Sequence, residues 1–175
     1  GEGHGRFLIP FRRRFPEAEI VIIDGSERML GICARRLEED GLSKDGITFV
    51  HSMIEDWRGD GRTFDLIVTN FLLDCLTEEQ LVSAVGNLAS MASPEADWLI
   101  ADFQIAEKGA RKWRSRVILA LLYGFFRITA RLEARELVPP DELLRAAGFR
   151  RIERKTWDWE LLKSEWWRRD GSPRP

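Results

Sequence analysis

The feature that most constrains this chain is a glycine-rich turn, Gly1-Glu2-Gly3-His4-Gly5-Arg6, followed by an apolar run that ends in an acid, Val21-Ile22-Ile23-Asp24. Glycines in a GxGxG pattern let the backbone bend sharply and let a ligand approach closer than a Cβ would permit. Such a turn works when a strand delivers it to the edge of a sheet, so at least one strand is expected upstream of Gly1, and the chain reads as N-terminally incomplete. An acid at the end of the next strand is where an open α/β sheet offers a carboxylate to both hydroxyls of a ribose. Turn and acid together point to an adenosine-containing ligand. A dinucleotide fingerprint wants GxGxxG, and position 6 is Arg6, whose side chain would intrude where helix, strand and pyrophosphate pack closely, so NAD is disfavoured.

The pattern after the turn alternates. Strands are predicted at Glu19–Asp24, Ile47–Met53, Phe64–Asn70 and Asp97–Ile105 from their apolar, β-branched runs. Helices are predicted at Ser26–Glu39, with Met29, Leu30, Cys33 and Leu37 on one face, and at Thr77–Met91, opened by a capping box between Thr77 and Gln80. Strands separated by helices of this length need right-handed crossovers, which give a mostly parallel α/β sheet covered on both faces. The later chain departs from that rhythm. It predicts a long helix from Ala110 to about Arg131, a short one at Asp141–Ala147 stopped by Gly148, and an antiparallel hairpin from Arg150–Trp157 and Leu161–Trp167. The expected fold is a Rossmann-like, doubly wound sheet with a C-terminal antiparallel hairpin and its first strand missing. One domain is expected over 1–169, with a disordered polar tail at 170–175.

Charge is unevenly spread. Residues 1–106 hold 10 Lys/Arg against 19 Asp/Glu, and residues 107–175 hold 17 against 10, so the basic part suits a solvated helical surface or an anionic substrate, membrane surface or partner. Cys33 and Cys75 stand far apart and outside any Cys/His cluster, which argues against a zinc site or a disulfide framework and makes a reducing, cytoplasmic setting the default. The longest apolar run, Val117–Phe126, is about half the ~20 residues of a membrane span.

The ordered segments GEGHGRFL, VIIDGSERML, ITFVHSMIEDW and FDLIVTNFLLDCL resemble the motifs of class I S-adenosylmethionine-dependent methyltransferases over nearly the whole chain, and the terminal LLKSEWW resembles that fold's last strand pair. The resemblance implies a seven-stranded sheet lacking its first strand here, with S-adenosyl-L-methionine across the carboxyl ends of strands one to three. By position, Gly1, Gly3 and Gly5 would wrap the methionine portion and ribose, Asp24 would bind the ribose hydroxyls, and Gly25, Ser26 and Met29 would border the adenine. Where many members carry an Asp for the adenine amino group, this chain has Met53, so that contact falls to the amides of Met53 and Ile54, with Glu55 or Asp56 as substitutes.

The sulfonium is already activated, so catalysis needs mainly alignment and exclusion of water, and a base is optional. Asn70 ends the strand that usually faces the transferable methyl and is expected as a cofactor-binding neighbour or a turn-former ahead of a catalyst, and Asp74 follows on the same loop as a substrate contact or a helix cap. His51, at a strand end, is a second candidate base; an ordinary strand-end histidine is the competing account. His4 has no second ligand near it, and no metal is expected. Asn70-Phe71-Leu72-Leu73 lacks the prolines of an NPPY-type motif, which disfavours amino methylation of DNA. The expected activity is methyl transfer to a small-molecule or lipid-like acceptor, with segment 111–131 as a lid over it. Stable membrane insertion is not expected, peripheral membrane contact is compatible with the basic and apolar segment, and nucleic acid is disfavoured. The alternatives are a non-catalytic cofactor-binding protein of the same fold and an RNA-modifying methyltransferase; the oligomeric state is left open.

Overall fold

The computed structural model describes residues 3–106, 108–129 and 137–171. The chain divides into two compact units, Gly1–Trp57 and Arg58–Pro175.

The first unit holds helix α1 (Leu8–Arg14), strand β1 (Ile20–Asp24), helix α2 (Glu27–Glu39) and strand β2 (Ile47–His51). β1 and β2 pair in parallel, with Asp24 opposite His51 at their carboxyl ends. The 3.6-residue spacing of Leu30, Cys33 and Leu37 buries one stripe of α2 against Leu8 and Ile22, and each side chain so buried contributes about 1.5–3 kcal/mol. The arginine-rich α1 is anchored where Arg12, itself buried, donates to the carbonyls of Ala18 and Asp45. β2 ends two residues before the expected Met53, because the chain turns after His51 and the amides of Asp56 and Trp57 both donate to the Met53 carbonyl.

The second unit contains β3 (Phe64–Asn70), α3 (Glu78–Ser90), β4 (Ala92–Phe103), α4 (Gly109–Thr129), α5 (Asp141–Ala146), β5 (Phe149–Trp157) and β6 (Leu162–Arg169). Its strands run in the order β3-β4-β6-β5, with β3 and β4 parallel and the β5–β6 hairpin antiparallel, as the sequence pattern requires. The capping box of α3 is complete: Thr77 Oγ1 accepts from the Gln80 amide and the Gln80 side chain accepts from the Thr77 amide. β4 starts five residues earlier than expected and ends two residues before Ile105. The pairing slips between Phe64/Ala92 and Leu66/Asp97, and the extra residues include Pro94, which has no amide to donate to a regular ladder. Trp98 and Trp167 are fully buried at the centre of this unit, and the Trp98 indole donates to Thr69.

At the chain's end the expected tail is only partly a tail. The Asp170 amide donates to the Gly148 carbonyl and its carboxylate pairs with Arg150, while residues 172–175 lie outside the described residues. α4 begins one residue before Ala110, and residues 130 and 131 of the expected helix lie outside the described residues.

Candidate functional site

In the first unit the site is assembled around Asp24. Its Oδ1 accepts from the Ser26 amide at 2.9 Å and its Oδ2 accepts from the Gly3 amide at 3.4 Å. The carboxylate thus joins the glycine turn to the start of α2, where Ser26 caps the helix by accepting from the Met29 amide. Each carboxylate oxygen can accept more than one hydrogen bond, so capacity remains for a further pair of donors. Gly3 and Gly5 both adopt positive φ, at 61° and 73°. Gly5 is also close-packed, since a Cβ there would stand 3.1 Å from Cys33 Sγ on α2. Arg36, from the last turn of α2, donates to the His4 carbonyl and holds the turn from its outer side.

The same strand ends present Gly25, Met53 and His51. A Cβ on Gly25 would come within 2.6 Å of the Met53 sulfur, so the glycine leaves room for the half-exposed Met53 to lie over it. His51 Nε2 lies 3.1 Å from the Gly25 carbonyl and donates to it in the tautomer protonated there. His51 therefore fixes the loop beside Asp24. Ile54 turns into the core and leaves only its backbone for a ligand. Gly1 lies outside the described residues. The expected set of Gly3, Gly5, Asp24, Gly25, Ser26, Met29 and Met53 thus shares one end of the β1–β2 pair and the adjoining turn.

Asn70 and Asp74 belong to the second unit. Asn70 closes β3 opposite Ala101, and Phe71 follows in the left-handed region at φ 52°, its amide donating to the Ala101 carbonyl. That strained residue turns the chain so that Asp74, on the short 3-10 turn Leu73–Cys75, is 5 % exposed. Asp74 Oδ2 accepts from the Phe103 amide at 3.4 Å, while Oδ1 has no partner. Beside it, Asp102 of β4 is 2 % exposed, and its carboxylate oxygens have no well-formed hydrogen bond among the described residues, the Leu72 amide acting on them only weakly. Tyr123 of α4 donates from its hydroxyl to the Asp74 carbonyl at 2.8 Å.

Burial holds the Asp74 carboxyl above its usual range, with the Phe103 amide pulling the other way. The Asp102 carboxyl is pushed well above the ordinary range by burial first and then by Asp74, against the opposing attraction of Lys163. Burial and Asp74 push the Cys75 thiol up to about 12, which makes it a poor nucleophile. Lys163 does not neutralise the pair, because its ammonium is bonded to the fully buried Glu165, which also takes Arg151, Arg154 and the Trp167 indole. Asp141 and Glu165 are met by Arg145, Arg151, Arg154 and Lys163, whereas neither Asp74 nor Asp102 enters an ion pair among the described residues.

Asp102 is the site residue that the sequence reading missed. Its signal was register: Ala96, Trp98 and Ile100 alternate as the buried face of β4, and Asp102 continues that face. Among the described residues no group of three or more His, Cys, Asp and Glu could hold a metal ion.

A family profile described as "Methyltransferase domain" matches residues 1–95. No sequence match is found among the curated proteins. Among solved structures, the mitomycin 7-O-methyltransferase MmcR superposes with a TM-score of 0.74 at 17% identity, over 97% of this chain and 47% of that one. A structure titled as a pericyclic reaction enzyme gives 0.69 at 18%, over 97% and 41%. The magnesium protoporphyrin IX methyltransferase ChlM from Synechocystis PCC 6803, with bound SAH, gives 0.69 at 16%, over 97% and 71%. This chain therefore spans about half the length of the first two, and likeness at these identities speaks for the fold: a Rossmann-like α/β sheet with an antiparallel hairpin.

Proposed function

Because the chain belongs to the methyltransferase domain family, whose profile covers residues 1–95, we propose that it binds S-adenosyl-L-methionine and transfers its methyl group to a small-molecule or lipid-like acceptor. One observation carries the cofactor assignment: Asp24 draws the Gly3 amide and the Ser26 amide onto a single carboxylate that keeps acceptor capacity for two ribose hydroxyls. The bare Cα of Gly25 lets the Met53 sulfur lie against it, which keeps that apolar side chain beside the Asp24 loop. Gly3 and Gly5 would admit the ribose and methionine portion, and Met53 would pack on the adenine. The bound cofactor supplies an activated, electrophilic methyl group. His51 holds the Gly25 loop by its hydrogen bond and acts here as a positioning residue.

Methylation of a hydroxyl or amine releases the acceptor's proton. Taken by itself, the second unit holds two buried carboxyls with raised affinity for protons, Asp74 and Asp102, which are groups of the kind that can accept such a proton. Tyr123 fixes the backbone of Asp74 by donating to its carbonyl. The single-domain reading of 1–169 is part of this proposal and is supported by a family profile that runs across the boundary between the two units.

Calorimetry decides the cofactor half. S-adenosyl-L-methionine and S-adenosylhomocysteine are expected to bind and NAD is not; preferential binding of NAD would overturn the assignment. Incubation with methyl-labelled cofactor and separated aqueous and organic extracts tests the acceptor class. Label confined to RNA would favour the nucleic-acid alternative, and binding without transfer to any fraction would favour a non-catalytic role.

A further inference from the structure

α4 is apolar on the wrong side as well as the right one. Its inner face carries the buried Ser115 and Leu119, with Ser115 accepting from the Ala106 amide, and Tyr123 reaching Asp74. Its outer face should then be polar, as on most surface helices. Instead Trp113, Val117 and Leu121 follow one another at four-residue spacing on the solvent side, with Trp113 72 % and Leu121 70 % exposed, and Ala120 is exposed beside them.

The tip of the β5–β6 hairpin extends this surface. Asp158, Trp159 and Glu160 all lie in the left-handed region, at φ 49°, 56° and 65°, a run of strain that non-glycine residues rarely sustain. It leaves Trp159 67 % exposed next to the half-exposed Trp157. α4 holds this tip in place: Arg111 pairs with Glu160, Arg114 pairs with Asp158, and the Arg114 guanidinium stands 5.7 Å from the centre of the Trp159 ring. Two elements far apart in sequence therefore present three tryptophans, a leucine and a valine to solvent.

The charge around the patch selects its occupant. Residues 108–116 contain five basic and no acidic residues. Arg116, which borders the exposed face, enters no ion pair among the described residues. Tryptophans and aliphatic side chains flanked by basic residues match a surface that is apolar beneath and negative at its boundary. No helix among the described residues is long and apolar enough to cross a membrane, which leaves contact with the surface plane.

We propose that the outer face of α4 and the hairpin tip dock on an anionic lipid bilayer, with Trp113, Leu121 and Trp159 entering the headgroup boundary and Arg116, at the edge of that face, meeting its phosphates. This surface shares no residue with the proposed cofactor set, so the two readings stand or fall apart. The test is flotation of the full chain with large unilamellar vesicles of phosphatidylcholine alone or with about 30% phosphatidylglycerol, followed by tryptophan emission. The chain should float with the anionic vesicles, its emission should shift to shorter wavelength, and binding should weaken in high salt. Trp113→Ala with Leu121→Ser removes two exposed side chains, so it should leave the thermal melt and S-adenosyl-L-methionine affinity unchanged while lowering vesicle partition at least about tenfold. Arg116→Glu should lower it severalfold, and only on anionic vesicles. Failure to float, or equal flotation of the double variant, overturns the proposal. So does a chain that sediments as a dimer, ignores vesicles and becomes monomeric in the double variant, because the patch would then belong to a second copy.

Discussion

Two acids stand at the carboxyl ends of strands in this molecule, and their surroundings are opposite. Asp24, at the end of β1, takes amides from Ser26 two residues on and from Gly3 twenty-one residues back, across α1 and β1. Asp102, one residue from the end of β4, is fully buried with the Leu72 amide as its one weak donor, and its near neighbours Asp74, Lys163 and Glu165 come from other parts of the chain. The first acid is a prepared acceptor whose donors are mostly in place; the second is a buried group with one weak donor. A carboxylate of the first kind holds structure and waits for a ligand, whereas one of the second kind is costly to the fold and is explained by a proton, a ligand or both.

The largest expected effect comes from the carboxylate that is most completely partnered. Glu165→Ala would leave the buried Lys163 with only a distant contact to Asp141 and strip a partner from Arg151 and Arg154, so the unfolding free energy should fall by about 3 kcal/mol or more in urea titration. If it changes by less than about 1 kcal/mol, the division between satisfied and orphaned carboxylates has no energetic content.

Next comes Asp24. Two charge-assisted hydrogen bonds to ribose hydroxyls are worth roughly 1.5–3 kcal/mol each, so Asp24→Ala should weaken S-adenosyl-L-methionine binding by on the order of a hundredfold in calorimetry. Asp24→Asn should recover part of that loss, since the amide oxygen still accepts. Unchanged affinity in both variants would remove the cofactor assignment.

These two sites also differ in how legible they were. The Ser26 cap and the capping box of α3 are set by residues within a few positions of one another, and the glycine turn and the acid of β1 stand at the fixed separation of about 20 residues that one helix and one strand span, so spacing located them. The hairpin was equally readable from Trp157 to Trp167. The acid pair was not, because Asp74 looked like a loop residue until Phe71 in the left-handed region folded it inward, and Asp102 was only one charge at the end of an apolar run. Pro94 hid the start of β4, since a proline argues against a strand unless a bulge absorbs it.

Protonation offers a third and smaller test. The folded Asp102 carboxyl binds its proton more tightly than in the unfolded chain, where the ordinary value is 3.8, chiefly through burial and then through Asp74. The folded state therefore holds more protons than the unfolded state above that value, and stability must fall as pH rises from about 4 toward the folded titration point. The slope for one such proton is at most about 1.4 kcal/mol per pH unit. Asp102→Asn should flatten this part of the stability curve, with Asp74, Lys163, Glu165, Tyr123 and Cys75 still facing the position. A curve of the same slope in the variant would mean that another group carries the proton and that Asp102 is not an orphan in solution.

The smallest effect sharpens the first site alone. In Gly25→Ala the new methyl meets the Met53 sulfur at 2.6 Å, but Met53 is a half-exposed, unbranched side chain that can swing away, and Gly25 does not need positive φ. Stability should change by less than about 1 kcal/mol, while affinity for S-adenosyl-L-methionine should fall severalfold because Met53 no longer lies over the loop beside Asp24. Gly31→Ala is the matched control: it sits in α2 with open space where its methyl would go, so it should add about 0.5–1 kcal/mol of helix stability and leave affinity untouched. If the two alanines behave alike in both measurements, the approach of Met53 to Gly25 has no part in holding the adenine, and the site reduces to the clasp that Asp24 makes with Gly3 and Ser26.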